Sequence, residues 1–167
     1  MSEDKTMDIL KSAILLEKRG RAFYSKIAGQ TSGKAVKEFF EMMADEEIKH
    51  VEILTEQFKA YRLNKEFTAD SNLEDPHSSI DSKVLTEELK KEISAVDYEA
   101  AAISAAMDME KNAIKLYSDR AAEATDPNEK ALYKWLAEWE AQHLNFLAAI
   151  DKELTEQIWY DNNFWPF

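Results

Sequence analysis

The chain contains no cysteine, which excludes disulfides, thiolate nucleophiles and cysteine-ligated zinc or iron–sulfur sites. Glycine and proline occur three times each in 167 residues, too rarely for a loop-rich or all-β protein. Basic residues are outnumbered by acidic ones. The net charge of −12 argues against nucleic acid or an anionic membrane surface as a partner. No apolar run approaches the roughly 20 residues that a membrane span requires. The N-terminus, MSEDKTMDIL, lacks the basic start and apolar stretch of a secretory signal, so a cytoplasmic location is the expectation. Histidine is scarce too: there are three, and each follows a glutamate by three residues, two of them inside long apolar-striped segments.

What is abundant is Ala, Leu, Glu and Lys, the composition of helices. Four long segments carry apolar residues at three- and four-residue spacing, one buried stripe each. The first runs from about Met7 to Ala28, the second from Lys34 to Tyr61, the third over roughly 95–124 and the fourth from Pro127 past Leu154. QTSG at 30–33 separates the first two, with Ser32 as a helix cap. SAVD at 94–97 resembles a capping box opening the third. In TDPNE, Asp126 caps the fourth helix, Pro127 takes its first position and Glu129 falls in its first turn.

The connections within each pair are short, so each pair is read as an antiparallel hairpin. Between the hairpins lies a polar stretch from about Arg62 to Ile93, in which LTEELKKEI is a possible short helix. A connection that long runs the length of a bundle, about 40 Å at 1.5 Å per helical residue. The fold class expected is therefore all-α: a four-helix bundle of two antiparallel helical hairpins with one long crossover. Residues 1–155 would form the bundle, and 156–167 an aromatic C-terminal tail.

The hairpins repeat. EKRGRAFY (17–24) and EKNAIKLY (110–117) share Glu-Lys-x5-Tyr, and EEIKH (46–50) and WEAQH (139–143) share Glu-x-x-His. Both intervals are the same: 47 − 17 = 30 and 140 − 110 = 30. Every matched position is offset by 93 residues, as two copies of one hairpin require. Glu17, Glu47, His50, Glu110, Glu140 and His143 all fall on apolar stripes, and residues three apart share a helix face. The repeat brings all six side chains to one level of the core.

Four carboxylates in an apolar core repel one another and lose their hydration. Two divalent cations cancel the four charges, and the two imidazoles add one neutral ligand each. Oxygen-rich ligation with some nitrogen and no sulfur suits iron, with manganese second. Zinc fits less well, and magnesium rarely takes histidine. Tyr24 and Tyr117 are core aromatics whose phenols need partners, and a ligand carboxylate of the facing hairpin is within reach.

The arrangement resembles the ferritin-like di-iron carboxylate proteins, with two single Glu and two Glu-x-x-His. Within them it is most similar to the rubrerythrin group, over nearly the whole chain. The resemblance implies that Glu17 and Glu110 are single-Glu ligands and that Glu47, His50, Glu140 and His143 are the paired ones. It further implies redox chemistry: a ferrous pair oxidised by hydrogen peroxide or dioxygen, an external electron donor, and a homodimer. A non-catalytic metal-binding or iron-handling protein is the alternative. Two departures stand out. The chain lacks the cysteines of a rubredoxin domain, and Ala113 stands where the group carries an additional ligating Glu.

The remaining candidates read more simply. Glu46 and Glu99 lie off the shared register and are expected on the surface. His77 is read as a loop histidine, and Trp135 and Trp139 as packing. Trp159, Tyr160, Phe164, Trp165 and Phe167 would cover a bundle end or join a dimer interface.

Overall fold

A computed structural model describes residues 3–69, 73, 87–93 and 98–161. It contains α1 (Glu3–Gln30), α2 (Lys34–Asn64), α3 (Glu87–Glu92), α4 (Tyr98–Glu123) and α5 (Pro127–Asp161), with no strand among the described residues. α1 packs chiefly on α2, and α4 on α5. The two hairpins dock as the expected four-helix bundle, and short α3 lies in the crossover. None of the described helices is long and apolar enough to cross a membrane.

Two apolar clusters fill the bundle. One holds Ile27, Phe39, Phe40, Met43, Ile103, Leu147 and Ile150, with Leu89 and Ile93 from the crossover. The other holds Leu10, Leu54, Phe67, Leu132, Tyr133, Leu136 and Trp139. Each long helix contributes to both, so the polar residues between the two stretches are enclosed at mid-bundle. On α2 this interval runs from Met43 to Leu54, and on α5 from Leu136 to Leu147.

The helix ends show where local sequence decides and where it does not. Asp126 caps α5 as its sequence predicts, its Oδ1 accepting from the backbone N–H of Asn128 at 2.8 Å and of Glu129 at 3.1 Å. α2 differs. Its N-cap is Gly33, with no side-chain cap of its own, not Ser32. The carboxylate of Glu92, from α3, accepts instead from the N–H of Ala35 (2.7 Å) and Val36 (3.1 Å). A negative charge is favourable at that helix end. It approaches so closely that a Cβ at position 33 would lie 2.6 Å from Glu92 Oε2, so a side chain there would displace the capping carboxylate. The expected short helix in the crossover thus exists, and it supplies the cap.

The other end of the crossover is tied down as well. α2 stops at Lys65, whose left-handed backbone (φ 61°) lets its N–H close on Tyr61 O. The chain then folds back, with Gln57 bonded to the backbone N–H and C=O of Thr68 at 3.1 Å each. Asn128 at the start of α5 donates to Phe67 O at 3.0 Å. Capping by SAVD at 94–97 and the loop position of His77 lie outside the described residues, as do Phe164, Trp165 and Phe167. α5 continues past 155 to Asp161, carrying Trp159 and Tyr160 as exposed helical residues.

Candidate metal centre

The four long helices each bring an acid to the middle of the bundle. Glu17, Glu47, Glu110 and Glu140 are all at most 3 % exposed, with His50 and His143 at 1 % or less. Such burial of ionisable groups is rare without a partner. The six form two overlapping groups: Glu17, Glu47, His50 and Glu140, then Glu47, Glu110, Glu140 and His143. Within each, one potential ligand atom per residue lies within 4.8 Å of all the others. Each group could hold a metal ion. Glu47 and Glu140 belong to both.

The histidines face this cluster through Nδ1. His50 Nδ1 has Glu140 Oε1 at 3.0 Å, Glu17 Oε2 at 3.1 Å and Glu47 Oε2 at 3.7 Å. His143 Nδ1 has Glu140 Oε2 at 3.1 Å, with Glu47 Oε1 and Glu110 Oε1 at 3.7 Å. One ring nitrogen carries at most one proton, so three surrounding carboxylates outnumber what it can donate. Glu140 Oε1 is buried without a hydrogen-bond partner, although His50 Nδ1 is near. A cation among these oxygens would satisfy them all, with each Nδ1 lone pair as its nitrogen ligand. The donor set fits two oxygen-loving divalent ions.

Tyrosines fix two of the acids from across the bundle. Tyr24 on α1 donates to Glu110 Oε1 on α4, and Tyr117 on α4 donates to Glu17 Oε1 on α1. Burial, then the nearby carboxylates, raise both phenols well above their ordinary pKa, so they remain donors.

Without metal, protons take over the charge balance. Burial first, then Glu140, pushes Glu110 up to about 8, and burial with Glu17 and Glu140 raises Glu47 well above the carboxylate range. Burial opposes charge on His50 and His143, yet the acids around them outweigh it and raise both. Burial likewise opposes ionisation of Glu140, but His50 and His143 hold it well below the usual range.

Glu46 is the residue the sequence reading misplaces. It is 5 % exposed, not on the surface, and its Oε2 lies 2.7 Å from His143 Nε2. Its neighbour Glu47 already claims the core-facing register. The missed signal is chemical: a histidine bound through Nδ1 needs an acceptor at Nε2. Glu99 is half-buried in the first turn of α4. Trp135 and Trp139 pack as expected, but against His50, with ring centroids 5.5 and 5.7 Å away.

A cavity of about 10 Å³, room for about one water, adjoins the cluster between α1 and α4. Leu16, Gly20, Met109 and Ala113 line it together with four of the acids. The 93-residue offset pairs Leu16 with Met109 and Gly20 with Ala113. A Cβ at position 20 would stand 3.2 Å from Glu47 Cδ, so that carboxyl would have to give by a few tenths of an ångström.

No curated protein and no solved structure gives a significant match to the chain. Residues 8–151 match the family model described as Rubrerythrin, a stretch reaching from α1 into α5 and enclosing all six clustered residues. A match of that extent, over a bundle with this acid–histidine core, makes the chain a member of the rubrerythrin family.

Proposed function

We propose that the protein is a di-iron redox protein that oxidises a ferrous pair with hydrogen peroxide or dioxygen, with manganese as the second choice of metal. The single observation carrying this reading is that two four-residue ligand groups share Glu47 and Glu140. Two ferrous ions held there would supply one electron each, reducing hydrogen peroxide with two protons to two waters.

Glu47 and Glu140 would bridge, since each offers an oxygen to both groups. Glu17 and His50 would complete one position, and Glu110 and His143 the other. Tyr24 and Tyr117 hold Glu110 and Glu17 in place through hydrogen bonds from the opposite hairpin. The apolar clusters above and below keep water out. The cavity beside Gly20 and Ala113 supports entry of a small oxidant on the α1–α4 side. The absence of cysteine leaves no rubredoxin-type site within this chain, so electrons come from an outside donor. A homodimer in the cytoplasm completes the reading.

The test is to load ferrous iron without oxygen, count the iron per chain, and mix rapidly with peroxide or dioxygen. Two ions per chain and a fast ferric absorbance change are expected. Two ions with no oxidation would leave the iron-handling alternative, and no bound metal would overturn both.

A further inference from the structure

The two halves of the site match at every ligand, but not behind the histidines. Adding the offset to Glu46 gives 46 + 93 = 139, which is Trp139. Behind His143, Glu46 Oε2 accepts from Nε2 at 2.7 Å. His50 is instead packed edge-on against Trp139 and Trp135, at interplanar angles of 73° and 78°. Trp139 Nε1 is itself buried without an acceptor. Trp139 also stands edge-on to His143, at 6.2 Å and 71°, so the indole touches both rings, and the difference between the two sides is the Glu46 carboxylate on His143 Nε2.

That exchange has a chemical consequence. A carboxylate holding Nε2–H fixes the tautomer in which the Nδ1 lone pair faces Glu47, Glu110 and Glu140. It also makes the imidazole a stronger donor and adds a negative charge behind any cation it binds. An indole face does none of these.

We infer that Glu46 makes the two metal positions unequal: a divalent transition cation binds tightly at the His143 position and exchangeably at the His50 position. The inference rests on the two-metal reading above. Glu46 is a positioning residue, acting on the metal through His143. Its partner at position 139 sets the contrast. The centre therefore passes through a one-metal state with the His143 side filled, and it exchanges its second ion without losing the first.

Cobalt(II), added alone to the metal-free full-length chain, tests this through its visible absorption and by competition with a coloured chelator. The native chain should fill in two steps at least about tenfold apart. His143→Ala should abolish the tight step, and His50→Ala the weak one. Glu46→Gln, which keeps shape and an acceptor but loses the charge, should weaken the tight step by about 10–100-fold and leave the weak step within about threefold. Its metal-free melting curve should stay close to native, which separates positioning from folding. Trp139→Gln, placing a polar acceptor behind His50, should narrow the gap from the other side. Two equal steps in the native chain, or equal weakening of both steps in Glu46→Gln, would overturn the inference while leaving the two-metal reading intact. Fewer than two cobalt ions per native chain would overturn the two-metal reading itself, and this inference with it.

Discussion

The hydroxyl of Tyr24 on α1 donates to the carboxylate of Glu110 on α4, a bond that joins the two hairpins across the α1–α4 side of the bundle. Tyr117 and Glu17 repeat it in the opposite sense. α1 and α4 otherwise touch far less than the helices within each hairpin. Tyr24→Phe or Tyr117→Phe should therefore cost about 1–3 kcal/mol, the range for leaving a buried polar partner unpaired. Urea unfolding of the metal-free protein would measure it. Unchanged midpoints in both variants would mean the phenols only fill space.

Metal stoichiometry should sort the acids by whether they are shared. Glu17→Ala or His50→Ala should leave about one ion per chain, and Glu110→Ala or His143→Ala likewise. Glu47→Ala and Glu140→Ala should each weaken both ions, because each belongs to both groups. Elemental analysis after dialysis reads this directly. Full loading of the Glu47→Ala, Glu140→Ala double variant would sink the bridging assignment.

The metal-free protein should prefer acid. Glu110, raised to about 8, and Glu47, also raised, bind protons in the folded chain that they release in the unfolded chain at the same pH. Stability therefore falls as pH climbs from their ordinary values through the raised ones. The raised histidines act in the same direction: their contribution is complete below the ordinary histidine value and is lost above it. Glu140, held low, gives the opposite slope, lost only as pH drops through its depressed value. Thermal melts of the metal-free form should be higher near pH 5 than near pH 8. Metal should restore the pH 8 melt and release protons as it binds. Identical melts at both pH values, with and without metal, would count against a buried site.

Gly20 and Ala113 should govern access and oxidant choice. In Gly20→Ala the new methyl presses on the Glu47 carboxyl at about the 3.2 Å contact, and small-to-large changes in tight cores cost about 1–3 kcal/mol. Slower oxidation by peroxide is expected with it. Ala113→Glu adds a fifth carboxylate beside the cluster and should speed the peroxide reaction relative to dioxygen. Rapid mixing of the ferrous variants gives both rates. If the added Glu changes neither, the native residue at 113 does not limit the reaction.

Much of this molecule is written in its spacing. Period-3.6 stripes mark the long helices, and the 30-residue interval recurring at a 93-residue offset brings out all six clustered residues. Tyr24 and Tyr117 follow from the same repeat. What spacing does not carry is partnership between distant segments. Glu92 lies nearly 60 positions from the N–H groups it caps, so Ser32 looks like the natural cap until the crossover is folded. Glu46 is hidden for a related reason. On its own helix it sits one position, about 100°, from Glu47, and only α5 passing behind it turns that face into interior. The run of α5 past residue 155 is equally unmarked, because QIWYD contains no glycine or proline to stop it.

The sharing of Glu47 and Glu140 also bears on the order of folding. Each hairpin holds two acids and one histidine, so neither alone completes a four-residue group; each group borrows one acid from the other hairpin. Contacts within a hairpin are close in sequence and form early, whereas docking of the hairpins must close the long crossover loop. A cation held by acids from both hairpins then acts on the last step of assembly and the first of disassembly. It is a kinetic lock: loading should slow unfolding far more than it quickens the formation of either hairpin.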